Sequence, residues 1–176
     1  MSGSPPTEDR VVAFYSGGRD HRGRTLDEIL AWGDGRLESI HDYIQWVFPT
    51  RAPSAINPYA PRVTDETARA FSADPRLRAR LGLSLARMLS FYGLGTGRDG
   101  VIEPDPDRFR ERAQVWLEPG DHNHLRLTRI MASLATLGRR DDAIALQRCL
   151  LDEVAAKHGG VSSATLEFWK HAIEPR

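Results

Sequence analysis

The stretch from Leu37 to Pro49 reads LESIHDYIQWVFP, and its residue pattern decides how the rest of the chain is interpreted. Its apolar residues recur at three- and four-residue spacing, the period of one buried helix face; they are Leu37, Ile40, Ile44 and Val47. The spacing predicts a helix from about Arg36 to Phe48. We expect Pro49 to stop this helix, because the residue before a proline is pushed away from helical backbone angles.

The residues before this stretch predict a tail, an apolar segment and a short helix. Residues 1–10 are polar and contain Pro and Ser, so we expect a disordered tail. The run VVAFY at 11–15 has strand-like residue types but no partner strand, so we expect an extended segment packed on helices. Thr25 and Glu28 have the spacing of a capping box, which predicts a helix that begins there and runs to about Trp32.

The residues after this stretch predict a loop and then a series of amphipathic helices. Residues 50–62 contain three prolines and predict a long loop. Capping residues such as Asp74, followed by Pro75, place helices over 63–71, 74–92, 107–117, 121–137, 141–157 and 162–173. Residues 95–106 are rich in Gly, Asp and Pro and predict a mobile loop. The sequence therefore predicts an all-α fold, with one compact domain over residues 11–176 made of about seven helices and a long proline-containing loop.

Composition argues against several classes of function. The 176 residues are 40% hydrophobic and 27% charged, as is usual for one globular domain. A formal net charge of +0 argues against a nucleic-acid partner, because nucleic-acid binders usually carry a basic excess. No apolar run approaches the ~18 residues of a membrane span, and the first residues lack the pattern of a secretory signal. Cys149 is the only cysteine, which suits a reducing compartment. We expect a soluble, cytoplasmic protein.

The first candidate site lies on the predicted Arg36–Phe48 helix. His41 and Gln45 are four residues apart and would share a face, with Asp42 and Trp46 on the adjacent stripe. A titratable ring, an amide and an aromatic surface together suit ligand binding. The alternative is structural: His41 and Gln45 would hold neighbouring backbone carbonyls while the aromatic side chains pack in the core.

The second candidate site lies in the segment DHNHLRLTRI, residues 121–130. His122, Arg126 and Arg129 recur at helical spacing on a face that differs from the apolar face, and Asn123 neighbours Arg126. Histidine and two arginines near the start of a helix could hold an anion or a carboxylate. The alternative is that the two arginines form structural ion pairs with acids of another helix, such as Asp42 or Glu38.

Motifs for enzymatic chemistry are weak. The sequence has no CxxC, HExxH or G-x-S-x-G pattern, so we predict no metal, no cofactor and no catalytic residue. The pair His41-Asp42 is similar to the His-Asp dyad of the all-helical HD-type metal phosphohydrolases. That family also needs an upstream His and a downstream Asp, for which His21 and Asp121 are the nominees. A metal-dependent hydrolase at His41-Asp42 is kept as the least favoured hypothesis.

Several long motifs, in order, resemble the conserved domain of the opioid growth factor receptor family. They are LESIHDYIQWVFP at 37–49, Ser54 and Asn57 in the proline loop, MLSFYG at 88–93, Trp116, and HNHLRLTRI at 122–130. The resemblance covers roughly residues 11–173. Vertebrate members are described as receptors for an enkephalin pentapeptide. The resemblance implies the domain and not that receptor role, and it offers no established catalytic residues. The sequence departs from the vertebrate pattern at Asp42 and His124, where that pattern has Ser and Asn, and these departures imply a different ligand.

Three functions therefore compete. The favoured one is a binding module for a peptide or small anionic ligand, and a protein partner is also allowed. Its predicted site residues are His41, Gln45, Trp46, Asn57, His122, Asn123, Arg126 and Arg129. The second is an interaction or scaffold domain with no small ligand, in which these side chains form a buried network. The third is the hydrolase. The relation of His41 to Arg126 and Arg129 separates the first two, because an open pocket favours binding and mutual burial favours a scaffold.

Overall fold

The structure is a computed structural model that describes residues 9–175. Within that range the chain folds as ten helices and one small hairpin, which confirms the predicted all-α class. The helices are α1 (Arg10–Tyr15), α2 (Leu26–Leu30), α3 (Asp34–Ser39), α4 (Ile44–Val47), α5 (Asp65–Ala73), α6 (Pro75–Tyr92), α7 (Phe109–Trp116), α8 (His122–Thr136), α9 (Arg140–Arg148, extended by Cys149–Ala155 and Ala156–His158) and α10 (Ser163–His171). The strands of the hairpin are β1 (Leu94–Thr96) and β2 (Ile102–Pro104).

Helix starts are the part of the fold that local sequence predicts well. Thr25 and Glu28 make the predicted capping box of α2, with each side chain bonded to the other's backbone N–H. Asp74 caps α6, with Pro75 at its first position. Asp121 caps α8 in the same way, by accepting a hydrogen bond from the Asn123 N–H. These caps are contacts between residues two or three apart, so the sequence pattern alone is enough to place them.

The prediction for the apolar run at 11–15 was wrong, because the run forms the helix α1. Asp9 caps this helix by accepting hydrogen bonds from the N–H groups of Val11 and Val12. Val11, Phe14 and Tyr15 are buried, so packing of one helix face outweighs the strand-like preference of these residue types. Asp9 and Arg10, which were predicted to be part of the tail, therefore belong to the start of the fold. Residues 1–8 of the predicted tail lie outside the described residues.

The predicted continuous helix from Arg36 to Phe48 was also wrong. Helix α3 ends at Ser39, Ile40 has an extended backbone, and α4 begins only at Ile44. Side chains from elsewhere in the sequence donate hydrogen bonds to the carbonyl groups between α3 and α4. Arg126 donates to Ile40 O, and Asn57 donates to Asp42 O. The segment therefore needs no continuous helix to satisfy its backbone.

The predicted loop at 95–106 contains the hairpin. Strands β1 and β2 pair antiparallel, with Gly95 opposite Glu103, and the buried Leu94 and Ile102 anchor one face on the core. Asp99 has a left-handed φ of 57° in the connecting turn. Strands this short, with Gly and Pro inside them, carry no alternating pattern that could be recognised from the sequence.

Helix α9 is longer than its first segment and contains a wide turn. After Arg140–Arg148 the chain continues as a π-helical segment, Cys149–Ala155, and returns to α-helix over Ala156–His158. The sequence predicted this helix without the wide turn.

The core of the described residues is one continuous cluster of apolar side chains. Helix α8 supplies the fully buried Leu127, Ile130, Met131 and Leu134, while α7, α9 and α10 pack around it. The proline-containing loop between α4 and α5 has its ends held together by a bridge between Thr50 and Arg62. Among the helices of residues 9–175, none is both long and apolar enough to cross a lipid bilayer.

Candidate functional site

An open groove of about 480 Å³ lies between the proline-containing loop, α8 and the C-terminal end of α10. Five of the eight predicted site residues line it: His41, Gln45, His122, Arg126 and Arg129. Trp46, Asn57 and Asn123 do not line it. The two candidate sites therefore do converge, although the residues of each are divided between the groove and the protein interior.

Arg126 forms one wall of the groove, and its guanidinium donates hydrogen bonds to backbone carbonyls of α3 and of Ile40, the residue that follows α3. Its Nη1 donates to Leu37 O at 2.9 Å, and its Nη2 donates to Ile40 O at 3.0 Å. The nearest carboxylate oxygen, Oε2 of Glu38, is 4.0 Å away. With a side chain that is 5% exposed, Arg126 holds the end of α3 against α8 and has few donors left for a ligand.

His41 and His122 form a pair of rings at the edge of the groove, with centroids 4.8 Å apart. His41 Nδ1 lies 3.4 Å from Arg126 Nη2. A guanidinium can only donate, so this contact is a hydrogen bond in the tautomer that leaves Nδ1 of His41 unprotonated. Desolvation lowers the pKa of His41, and the charges of Arg126 and His122 lower it further. His122 Nε2 lies 3.2 Å from Oε1 of Glu38, which places an acid behind the pair.

Arg129 lies on α8 one turn beyond Leu125 and has a different environment from Arg126. Its Nη1 donates to Phe48 O at 3.3 Å and to Thr50 Oγ1 at 3.2 Å, which ties α8 to the start of the proline-containing loop. No carboxylate of residues 9–175 lies within 4.0 Å of its guanidinium. Burial lowers the pKa of Arg129. This arginine is therefore a partly desolvated cation beside the groove.

Gln45 and Asn57 form a buried amide pair below the groove. Asn57 Nδ2 donates to Asp42 O at 3.2 Å and to Gln45 Oε1 at 3.4 Å. Only Gln45 of the two reaches the groove surface. The pair fixes the proline-containing loop to the break between α3 and α4, so we assign Asn57 to loop positioning.

Trp46 lies away from the groove. Its ring stacks on His21 with centroids 5.9 Å apart and meets Phe14 edge-on at 5.5 Å, and the guanidinium of Arg10 lies 4.8 Å from its centroid. The break between α3 and α4 is the reason, because it separates Trp46 from the helix stripe that would have placed it near His41. The predicted stacking surface is therefore occupied by the protein itself.

Asn123 is fully buried in a network behind the groove. Its Nδ2 donates to Oε2 of Glu38 at 3.0 Å, and its Oδ1 accepts from Arg126 Nη1 at 3.3 Å and from the Tyr92 hydroxyl at 3.4 Å. Buried amides of this kind are retained because they satisfy other buried polar groups. Asn123 therefore joins α3, α6 and α8.

The His41-Asp42 pair does not have the surroundings of a metal site. Asp42 Oδ1 accepts from Arg24 at 2.9 Å and its Oδ2 from Arg22 at 3.2 Å, so two guanidinium groups occupy its carboxylate. Burial acts to raise the pKa of Asp42, but the hydrogen bond and charge of Arg24, the hydrogen bond of Arg22 and the charge of His21 together outweigh it, and the pKa is lowered. Within residues 9–175 no three His, Cys, Asp or Glu side chains form a group able to hold a metal ion.

Three apolar residues of the groove, Ile56, Leu125 and Phe168, were not among the predicted site residues. All three are large apolar side chains that remain exposed, Ile56 at 77%, Leu125 at 62% and Phe168 at 48%. They come from the proline-containing loop, α8 and α10, and all three line the same groove. The sequence indicates exposure for two of them, because Leu125 and Phe168 lie off the apolar face of their helices. Their convergence was invisible until the helices were packed.

Comparison with known proteins places this chain beside one family. The family model for the opioid growth factor receptor (OGFr) conserved region matches residues 20–176. The opioid growth factor receptor of Rattus norvegicus is 34% identical over 164 residues, covering 88% of this chain and 27% of that protein. The Homo sapiens receptor is 33% identical, covering 86% of this chain and 23% of that protein.

A second group of relatives carries a related name. Opioid growth factor receptor-like protein 1 of Xenopus tropicalis is 32% identical over 160 residues, covering 88% of this chain and 31% of that protein. The chain thus spans between 23% and 31% of the length of these relatives. No solved structure matches the chain.

Proposed function

This chain belongs to the opioid growth factor receptor conserved-region family, and from that premise we propose that it is a peptide-binding module whose ligand occupies the groove between the proline-containing loop, α8 and α10. The ligand is a short peptide, either free or as an exposed segment of a protein partner. The relatives support a binding role because they are named as receptors for an opioid growth factor. The names of the relatives do not identify the peptide that this chain binds, because the chain matches only part of each relative.

The observation that carries the proposal is the convergence of Ile56, Leu125 and Phe168 on one groove. Exposed apolar side chains are common singly, whereas several grouped in a concave surface mark a binding site. A volume of about 480 Å³ is within the range of ligand sites and accommodates a few side chains of a peptide. His41, Gln45 and Arg129 add polar groups at its edges, which would fix the orientation of a bound backbone.

The scaffold hypothesis describes a different set of residues in the same region. Arg126 donates to Leu37 O and to Asn123 Oδ1, and Asn123 donates to Glu38 of α3, so we assign both residues to building the groove wall. The binding and scaffold interpretations are therefore complementary. We propose that the ligand meets the surface made by the loop, α8 and α10, while the buried network holds α3 and α8 in position behind it.

Selection of peptides on the purified protein tests the proposal. A display library of random short peptides is enriched on the wild-type chain, and the enriched peptides are synthesised and titrated by fluorescence anisotropy. We expect Leu125→Asp to weaken their binding at least about tenfold, because a carboxylate replaces an apolar contact in the groove.

The matched control is Leu83→Asp. Leu83 is 59% exposed on α6, close to the 62% exposure of Leu125, and it does not line the groove. Binding that is lost in Leu125→Asp and kept in Leu83→Asp supports the groove. Failure to enrich any peptide, or equal binding by both variants, contradicts the proposal.

A further inference from the structure

The guanidinium of Arg129 has donors that the fold does not use. Arginine carries five N–H donors, and those of Nη1 are directed to Phe48 O and Thr50 Oγ1. Across the described part of the chain, Nε and Nη2 of Arg129 donate to no protein acceptor. These two nitrogens form the edge of the guanidinium that binds carboxylates with two parallel hydrogen bonds.

The other arginines of the groove are already neutralised or committed. Arg51 lines the groove, and its Nη1 pairs at 2.8 Å with Oδ1 of Asp65, which does not line it. Arg126 spends both terminal nitrogens on the carbonyls of α3 and the residues that follow it. Arg129 is therefore the groove arginine whose charge has no acid partner among residues 9–175 and whose donor edge is unused.

The surroundings of Arg129 make an anion there favourable. Leu125, one turn earlier on α8, and Ala132, one turn later, both line the groove and give its floor an apolar character. A charge-assisted hydrogen bond is stronger in such partly desolvated surroundings than in open water. Glu174 also lines the groove, but His171 Nδ1 lies 2.7 Å from its Oε1, so this acid already has a partner.

Resting on the proposed function, we infer that Arg129 is the anion subsite of the groove and that the peptide bound there carries a carboxylate next to an apolar side chain. The carboxylate accepts two hydrogen bonds from Nε and Nη2 of Arg129. The apolar side chain lies on the surface made by Leu125 and Phe168. One guanidinium with an apolar surround suits a singly charged carboxylate, whereas a phosphate dianion would need further donors and cations.

Four defined peptide libraries test this inference. All four consist of fluorescein-labelled pentapeptides that contain a leucine, phenylalanine or methionine. This residue is followed by glutamate in one set of two libraries and by glutamine in the other set. Both sets are made with a free and with an amidated C terminus. Anisotropy titrations use the wild-type chain, Arg129→Gln and Arg110→Gln. Arg110 is exposed on α7 and lies outside the groove lining, so its variant controls for loss of one positive charge.

The expected result is a charge preference that depends on Arg129 alone. Wild type and Arg110→Gln should bind one carboxylate-bearing library at least about tenfold more tightly than the amidated glutamine library. Arg129→Gln should lose that preference and bind the amidated glutamine library as wild type does. The glutamate and free-terminus arms then identify whether the carboxylate is that of a side chain or of the C terminus.

Other outcomes separate this inference from the proposed function. Equal binding of all four libraries by the wild type, or a preference that survives in Arg129→Gln, overturns the anion subsite and leaves the groove intact as a peptide site. Loss of binding to every library in Arg129→Gln assigns Arg129 to holding the proline-containing loop and also overturns it. Absence of binding to all libraries by the wild type removes the groove and the subsite together.

Discussion

Arg126 and Arg129 lie three residues apart on α8, yet they are held by different parts of the protein. Arg126 is buried against the carbonyls that α3 leaves unpaired at its end, at Leu37 and Ile40. Arg129 contacts the start of the proline-containing loop through one nitrogen only. A helix ends with carbonyls that need donors, and here a side chain 89 residues away from Leu37 supplies one.

Substitution of Arg126 by Ala should therefore destabilise the fold strongly. The carbonyls of Leu37 and Ile40 and the Oδ1 of Asn123 would each lose a charged donor. Leu37 O would keep the Tyr43 hydroxyl and Asn123 Oδ1 the Tyr92 hydroxyl, so Ile40 O is the acceptor left without a side-chain donor. Since a hydrogen bond from a charged group contributes about 1.5–3 kcal/mol and the remaining donors compensate in part, we expect a total loss of about 3 kcal/mol in the free energy of unfolding. Urea denaturation monitored by circular dichroism measures it.

Arg129→Ala is the comparison for this prediction. Only two part-buried contacts, to Phe48 O at 3.3 Å and to Thr50 Oγ1 at 3.2 Å, would be lost, so we expect a smaller loss of about 1 kcal/mol. Equal losses in the two variants would show that Arg126 is not committed to the scaffold as the structure indicates.

At the scale of elements, two differences between prediction and structure have the same cause. The run at 11–15 became a helix, and the run at 36–48 was divided into α3 and α4. In both places side chains distant in sequence satisfy or bury the local backbone. Asp9 joins the local cap of α1 to this tertiary packing, because its carboxylate accepts from the N–H groups of Val11 and Val12 and also from the hydroxyl of Thr67 in the first turn of α5.

Substitution of Asp9 by Ala should loosen α1. The variant loses the acceptor for the Val11 and Val12 N–H groups and for the Thr67 hydroxyl, and removal of an N-cap costs about 0.5–2 kcal/mol. We expect a loss of about 2 kcal/mol in denaturant unfolding, because the tertiary bond is lost together with the cap. Asp9→Asn keeps an oxygen for the cap and should lose less. Wild-type stability in Asp9→Ala would contradict the role of this cap.

At the scale of the whole molecule, His124 marks the junction of three helices. It lies buried on α8, with its ring 6.3 Å from that of Trp116 on α7 and 5.5 Å from that of Trp169 on α10, measured between centroids. The indole N–H of Trp169 donates to the His124 carbonyl at 3.2 Å, which binds α10 to α8. This junction holds the side of the groove that carries Phe168 in place.

The stability of this junction should decrease as the pH falls below about 6.5. Burial lowers the pKa of His124 in the folded state from its ordinary value of 6.5, so the unfolded chain takes up a proton first. The free energy of unfolding is then expected to fall between pH 7 and pH 5, with His41 contributing in the same direction because its pKa is also lowered. Denaturant unfolding at several pH values measures the slope.

His124→Phe serves as the control for this pH dependence. Phenylalanine keeps a ring between Trp116 and Trp169 but does not titrate, so the slope between pH 7 and pH 5 should become shallower whatever the variant's stability at pH 7. An unchanged slope would assign the pH dependence to other groups.

The sequence by itself determined those features that depend on neighbouring residues. The caps at Thr25, Asp74 and Asp121 and the helices that follow them were predicted correctly, because each cap joins groups two or three residues apart. The all-α class follows from the same periodicities, and the family follows from motifs that can be read in order along the chain.

Only the tertiary structure decided which polar side chains face the groove. His41 and Arg129 line it, whereas Trp46 packs on His21 and Asn123 is buried behind it, and helical spacing could not distinguish these outcomes. The reason is that the backbone of residues 37–42 bonds to Arg126 and Asn57, which lie up to 89 residues away. Those bonds break the helix on which the prediction of a shared face depended, and they are formed only when α3, α8 and the proline-containing loop are packed together.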